Sequence, residues 1–176
     1  MAFRNVLATP LRRGTLVGFA LLVILFNLIL ELSASLLIPA PEQAVTIPTA
    51  TAFILHMVSI LGGTALMFGA GRAFKGRGDF DGALKSVIWV SFVMLLAQGA
   101  FLLGILILPA AALVLMLLLL MFSMIQLSAV TMELHGFENP VLVGLGIIGA
   151  AIVLGSFMLI LLLFLGIDLP VSGPPA

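Results

Sequence analysis

The stretch Ala83–Met132, ALKSVIWVSFVMLLAQGAFLLGILILPAAALVLMLLLLMFSMIQLSAVTM, decides how the chain folds. Its one charged residue is Lys85, near its start, and its one proline is Pro109. As a single helix it would be about 75 Å long, more than twice the roughly 30 Å of hydrocarbon in a bilayer. We therefore expect two membrane-crossing helices that turn back on each other at Pro109.

The composition of the whole chain points to the same solvent. Of its 176 residues, 63% are hydrophobic and 8% are charged, whereas a soluble domain carries about 25% charged residues. Because so few charges cannot cover a water-exposed surface, lipid must be the main solvent. The zero net charge excludes a nucleic-acid-binding surface. The absence of Cys excludes disulfides, thiolate nucleophiles, zinc–thiolate sites and iron–sulfur clusters.

Five apolar stretches follow one another, each of about 20–27 residues and long enough to cross a bilayer. We expect an all-α fold, a polytopic membrane bundle of five transmembrane helices. The first stretch follows Arg12 and Arg13 as in a secretory signal, but it exceeds the ~7–15 apolar residues of such a signal, so we predict an uncleaved span. The predicted spans are residues 14–38, 50–71, 83–108, 110–132 and 140–166, within a domain 14–167 that separates a short cytoplasmic or interfacial segment, 1–13, from a disordered tail, 168–176.

The positive charges set the orientation. The seven Lys and Arg residues lie in two segments, before the first span and between the second and third: Arg4, Arg12 and Arg13, then Arg72, Lys75, Arg77 and Lys85. Loops rich in Lys and Arg stay in the cytoplasm. We therefore expect the amino terminus in the cytoplasm and, with five spans, the carboxyl terminus outside.

The segment from Gly69 to Gly82 is rich in glycine and positively charged. It is not a dinucleotide fingerprint, because Phe74 stands where the third glycine belongs, and it lacks the Gly-Lys-Ser/Thr of a P-loop. We expect a flexible turn at the level of the lipid headgroups, whose side chains contact anionic lipid or dock another protein. The predicted lipid- or partner-binding residues are Arg72, Lys75, Arg77 and Lys85.

Polar side chains within the spans are scarce, and three of them form a predicted intramembrane cluster. Asn27 and Glu31 lie one turn apart in the first span, and His56 in the second span lies at the same depth as Glu31, about 9–12 Å below the outer surface. We predict that Glu31 faces the bundle interior within hydrogen-bonding reach of His56. The cluster is either a structural contact between helices or part of a proton or ion pathway.

Patterns typical of enzymes are missing from the sequence. There is no catalytic triad, no HExxH and no paired-carboxylate site. The one acid–imidazole grouping near an interface is His135 with Glu133 and Glu138, and a headgroup enzyme there is the weakest alternative. We expect a protein that is not an enzyme and holds no metal and no cofactor.

Small residues recur at a spacing of four, which allows helices to approach closely in lipid. The pattern serves either packing within the bundle or contact with a second copy of the chain. The pairs are Ser59 with Gly63, Ala65 with Gly69, Gly146 with Ala150, and Ala151 with Gly155.

Two segments carry a resemblance to a known family. They are Gly71-Arg72-Ala-Phe74-Lys-Gly76-Arg-Gly78-Asp79-Phe80-Asp-Gly82-Ala83-Leu84, continuing through Trp89, and Glu133-Leu134-His135-Gly136-Phe137. With the order of five spans they resemble the bacterial branch of the YIP family (Rab-GTPase-interacting membrane proteins), over roughly residues 50–165. The resemblance implies five spans, a cytosolic amino terminus and a place in the bacterial inner (cytoplasmic) membrane.

Eukaryotic members of that family bind GTPases through a longer amino-terminal region with an Asp-Leu-Tyr-Gly-Pro motif. This chain has 13 residues before the first predicted span and no Tyr, so we do not expect GTPase binding. The first functional hypothesis is a non-enzymatic scaffold or accessory subunit that binds membrane lipids, other integral membrane proteins or itself. The second is a small transporter or lipid-handling protein that uses Asn27, Glu31 and His56.

The topology predicts which engineered cysteines a membrane-impermeant reagent reaches. In this Cys-free chain, a cysteine at Gly78 should react only from the cytoplasmic side, and cysteines at Glu42 or Ser172 only from outside. Labelling of positions 42 and 78 from the same side of sealed vesicles contradicts the five-span topology.

Overall fold

The computed structural model describes residues 5, 7, 9–38 and 47–166 of the chain. The predicted loop after Pro39, the position Glu42 and the predicted tail 168–176 lie outside the described residues. Within the described part every regular element is helical, and five helices are long and apolar enough to cross a membrane. The predicted number and type of elements are therefore confirmed.

The five long helices contain 24 to 28 residues each. At 1.5 Å per residue they measure about 36–42 Å, enough for ~30 Å of hydrocarbon with some tilt. They are α1 (Arg13–Leu37), α2 (Thr49–Ala73), α3 (Phe80–Ile107), α4 (Ala112–His135) and α5 (Pro140–Phe164), with a 3₁₀ turn, Pro109–Ala111, between α3 and α4.

Proline, glycine and polar caps mark the helix boundaries. Pro109 opens the 3₁₀ turn, so the long apolar stretch folds into a hairpin there. The Asp79 carboxylate accepts a hydrogen bond from the Gly82 backbone N–H at 2.8 Å and caps α3. Asn139 caps α5 in the same way. Gly136 ends α4 in the left-handed conformation, φ +69°, which only glycine adopts without strain.

Helix α3 lies at the centre of the bundle. It packs against α1, α2 and α4, while α5 packs against α2 and α4. The largest cluster of buried apolar side chains joins α1, α2 and α3: Leu16, Val23, Ile24, Ile60 and Ile88. The described part of α1 has no contact with α4 or α5, so α2 and α3 connect the two halves of the bundle.

The outer surface of the bundle is apolar. No residue in the most apolar stretch of α4 or of α5 is buried, and side chains such as Leu36 and Phe164 are 80% and 87% exposed. A water-soluble domain does not expose so much continuous apolar surface. A helix that faces lipid on most sides has an apolar surface of this kind.

The small-residue pairs are not all at helix contacts. A Cβ added at Gly63 would meet Val87 at 3.8 Å, an ordinary packing distance. At Gly69, Gly146 and Gly155 an added Cβ would meet nothing within 4 Å. Packing within the bundle therefore accounts for Gly63, and the other three glycines face open space.

Candidate functional site

The turn between α2 and α3 closes the end of α2 with a backbone motif that normally contains glycine. The Gly76 N–H donates to the Gly71 carbonyl at 2.7 Å, and Lys75 between them has φ +62°. This is the six-to-one hydrogen bond of a Schellman motif, whose left-handed residue is usually glycine. Lys75 is the only non-glycine residue with positive φ in the described part of the chain.

The imidazole of His135 fills the inside of this turn. His135 is the last residue of α4 and is only 2% exposed. Three glycines surround the ring: a Cβ at Gly76 or Gly78 would lie 2.7 Å from its Nδ1, and a Cβ at Gly71 would overlap the ring itself. We call Gly71, Gly76 and Gly78 the glycine pocket. The glycines of this loop thus make room for a histidine.

Hydrogen bonds fix the positions of the ring and the turn relative to each other. The His135 Nε2 lies 3.1 Å from the Met67 carbonyl oxygen in α2. Since a carbonyl only accepts, Nε2 carries the proton in this contact. The Arg77 N–H donates to the His135 carbonyl at 3.1 Å, and the Phe137 ring stacks on the imidazole at 5.4 Å. Nδ1 is buried with no hydrogen-bond partner among the described residues.

This arrangement joins the two segments that resemble the YIP family. Gly71, Gly76 and Gly78 belong to the first segment, and His135 and Phe137 belong to the second. The sequence predicts a flexible turn here, whereas the contact with His135 holds the turn in place. Two features of the sequence could have indicated this contact: a histidine just before a helix-ending glycine, and a loop with several glycines. Both lie at the same end of the bundle.

The structure divides the four predicted basic site residues into two groups. Arg72 in the last turn of α2 is exposed, and so are Lys75 and Arg77 in the loop that follows. We call these three residues the basic turn. Lys85 is half-buried in α3, where its ammonium donates to the Thr9 carbonyl at 2.8 Å and to the Leu7 carbonyl at 3.4 Å. Lys85 therefore holds the amino-terminal segment against the bundle.

An ion pair supports the same attachment. The Arg13 guanidinium at the start of α1 lies 3.4 Å from the Asp81 carboxylate in the first turn of α3. The amino-terminal segment and the basic turn consequently lie at one end of the bundle, which we call the basic end.

The predicted contact between Glu31 and His56 is confirmed. The His56 Nε2 lies 3.0 Å from the Glu31 Oε1. The pair is less enclosed than expected, since the Glu31 side chain is 56% exposed and that of His56 is 26% exposed. The Asn27 amide donates to the Val23 carbonyl of its own helix at 2.8 Å, so its side chain does not join the hydrogen bond between Glu31 and His56 as predicted.

Polar groups do not continue from this pair through the contact of α1 with α2. Asn27 lies one turn deeper than Glu31, and beyond it Val23, Ile24 and Ile60 are buried and apolar. The buried Thr64 hydroxyl donates to the Ile60 carbonyl of its own helix. A proton or ion route along this contact would have to cross this apolar layer, so the geometry favours a structural role for the pair.

The grouping of Glu133, His135 and Glu138 does not form an acid–base pair in the described structure. The imidazole nitrogens face Met67 and the glycine pocket, and no carboxylate bonds to either of them. The histidine that sequence reasoning had placed in a candidate headgroup enzyme is instead a buried packing residue.

A cavity of about 890 Å³ lies beside this site, and sequence reasoning did not predict it. Its walls come from α2, α3, α4 and α5, and the segment from Gly136 to Asn139 borders it at the basic end. A second cavity of about 380 Å³ contains Glu31 and His56 in its wall. Ser59 of α2 lines both cavities.

The glycine pocket predicts a specific pattern of coupling. Gly78→Ala should lower the free energy of unfolding by about 1–3 kcal/mol, because the new methyl group overpacks against the imidazole. In a His135→Ala background the same change should cost much less, since the obstructing ring is gone. Thermal unfolding in mild detergent measures both, with Gly69→Ala as the control where the Cβ meets nothing. Equal costs of Gly78→Ala in the two backgrounds contradict the packing described here.

The contact between Glu31 and His56 should give a measurable coupling energy. Hydrogen bonds between membrane helices are worth about 0.6 kcal/mol on average. Glu31→Gln and His56→Ala, made singly and together, should therefore be non-additive by roughly that amount. Asn27→Ala combined with His56→Ala is the control and should be additive. Additivity in both cycles means that Glu31 and His56 do not interact.

The geometry of Gly78 also changes the topology experiment. A cysteine there would push its Cβ against His135, whereas Arg77 beside it is exposed. Arg77→Cys is therefore the better reporter for the basic end.

Comparison with protein-family models, with curated proteins and with solved structures finds no match to this chain. Membership of the YIP family stays a prediction that rests on the two segments named above. The function is therefore inferred from the geometry of the basic end.

Proposed function

We propose that the chain is a multi-pass, non-enzymatic membrane scaffold or accessory subunit. Its basic turn contacts anionic lipid headgroups or an acidic face of another membrane protein. In this proposal the five apolar helices cross the bacterial inner membrane, with the amino terminus in the cytoplasm and the carboxyl terminus outside.

The observation that carries the proposal is the backbone of Lys75. A left-handed conformation costs a non-glycine residue roughly 1–2 kcal/mol, and the flanking sequence already contains glycine at 71, 76 and 78. A lysine at the one position that favours glycine indicates that its side chain is needed there. Strained residues of this kind cluster at functional sites.

The fixed shape of the turn supports a binding role. The His135 ring fills its inside, so the exposed side chains of the basic turn start from a held backbone. A partner that binds a held loop loses less conformational freedom than one that must order a flexible loop. Arg72, Lys75 and Arg77 therefore form a prearranged positive surface.

The orientation rests on where the basic residues meet. Arg13 contacts Asp81 and Lys85 contacts Thr9, so the two positively charged segments lie together at the basic end. The positive-inside rule places that end in the cytoplasm. The inner leaflet is also the more negative one, which suits the basic turn.

A small transporter or lipid-handling protein is the second candidate. The cavities favour it, because Glu31 and His56 line the smaller one and Ser59 lines both. The walls of the larger cavity are mostly apolar, as at Gly63, Val87 and Leu127, which suits a lipid chain better than an ion.

Charge removal from the basic turn tests the scaffold proposal. In nanodiscs of phosphatidylcholine with a minor share of phosphatidylglycerol, Arg72→Gln, Lys75→Gln and Arg77→Gln together should lower the retained phosphatidylglycerol several-fold. Each basic residue near an anionic surface is worth about 1 kcal/mol. Mass spectrometry of the lipids that remain bound after detergent extraction measures the change.

Two variants make the test specific. The triple change Arg4→Gln, Arg12→Gln and Arg13→Gln removes the same charge from the amino-terminal segment and should have a smaller effect. Lys75→Gly removes the strain with the charge, so it should leave the thermal stability unchanged or higher while anionic lipid binding falls. Equal lipid loss in both triple variants contradicts a role for the turn itself.

A further inference from the structure

The larger cavity is a groove between four helices, open on one side. Val87 and Val90 of α3 line it, and so does Leu127 of α4, while Gly63 of α2 and Gly146 of α5 border it on the other sides. Its volume of about 890 Å³ lies within the ~300–1,000 Å³ of ordinary ligand sites. Its lining is mostly apolar, which suits an acyl chain.

The depth of the cavity matches one leaflet. It extends along α2 from Ser59 to Gly71, a rise of about 18 Å, and half of the hydrocarbon core measures ~15 Å. One end therefore lies at the headgroup level of the basic end, and the other reaches the region of the bilayer midplane. A single lipid chain that entered from the basic end would follow this length.

Small residues create the open space. A Cβ at Gly146 would meet nothing within 4 Å, although this residue lies in the cavity wall. Ala150, one turn further along α5, and Gly63 on α2 also line the cavity. A larger side chain at Gly146 would extend into this open space, because nothing lies within 4 Å of an added Cβ there.

The entrance at the basic end carries charges of both signs. Glu138 and Asn139 line it together with Phe74. Arg72 and Lys75 lie exposed in the adjoining turn. A carboxylate at the entrance with cations beside it complements a headgroup that contains both a phosphate and an ammonium.

We propose that this cavity binds one acyl chain of a zwitterionic aminophospholipid, with the phosphate on the side of Arg72 and Lys75 and the ammonium on the side of Glu138. This site shares Arg72 and Lys75 with the basic turn of the proposed scaffold role, but it also requires the cavity and Glu138 and does not require a protein partner. The bound acyl chain fills the cavity that α2, α3, α4 and α5 leave between them.

Photocrosslinking in nanodiscs tests the site directly. The full chain is placed in equal parts phosphatidylethanolamine and phosphatidylglycerol, with a trace of one lipid carrying a diazirine on its acyl chain. After irradiation, mass spectrometry should find adducts of the ethanolamine probe on cavity residues of α2 and α5. Gly146→Leu should lower them by about fivefold or more, because its side chain occupies the cavity.

Gly149→Leu is the matched control. Gly149 is exposed on the same helix, does not line the cavity, and its added Cβ also meets nothing within 4 Å. It should therefore leave the adducts near the wild-type level. Both variants replace a helical glycine by a better helix former, so neither should unfold at a lower temperature than the wild type. Ala150→Leu is a second cavity-filling variant and should act like Gly146→Leu.

The headgroup assignment has its own measurement. The ethanolamine probe should give about two- to fivefold more cavity adduct than the glycerol probe, and Glu138→Gln should remove that preference, as expected for one exposed charge contact. Adducts that Gly146→Leu leaves unchanged, or that Gly146→Leu and the control Gly149→Leu reduce equally, overturn the cavity site. Equal adducts from the two probes in the wild type overturn the aminophospholipid.

Discussion

The contact between the His135 imidazole and the glycine pocket is the constraint on which the basic end depends. It joins the last residue of α4 to the end of α2 and to the turn that leads into α3. Elsewhere the bundle has few fully buried side chains, and its largest apolar cluster involves α1, α2 and α3 only. Among the described residues, the hydrogen bond of His135 to Met67 is thus the main polar contact between α4 and α2. Its ring replaces the aliphatic packing that this part of the bundle lacks.

A lipid environment explains why so specific a contact is needed. In lipid, apolar side chains gain little by leaving the solvent for another helix, so association depends on shape and on hydrogen bonds. The long leucine-rich face of α4 therefore does little to fix where that helix sits. A buried imidazole with one carbonyl partner and three glycines fitted around it does fix the position. Another position of α4 would break the hydrogen bond of Nε2 to Met67 and move the ring out of the glycine pocket.

The fold could be predicted from the sequence to the level of element number, type and approximate position. That followed because span length is dictated by bilayer thickness and because Pro109 is the only break in an otherwise continuous apolar stretch. Matching depth in two successive spans was enough to predict the contact of Glu31 with His56. The exposure of Glu31 was not predictable, because depth along a helix says nothing about which face a neighbour covers.

The glycine pocket and the cavity were out of reach for a related reason. A glycine in a sequence indicates an absent side chain, and its purpose depends on what approaches from another helix. At Gly71, Gly76 and Gly78 the approaching group is an imidazole, and at Gly146 no group of this chain approaches. The same residue type therefore serves tight packing at one place and open space at another. Periodicity along one helix cannot distinguish the two, since both depend on contacts between distant segments.

Lys75 shows how a departure from local preference separates structure from function. The turn contains glycine wherever the ring of His135 demands it, yet it has lysine where only the backbone would prefer glycine. Steric demands from neighbours therefore explain three positions and leave the fourth to another cause. The side chain of Lys75 is exposed, so burial does not supply that cause. In the proposed function that cause is the positive charge of Lys75, which lies at the same end of the bundle as Arg72 and Arg77.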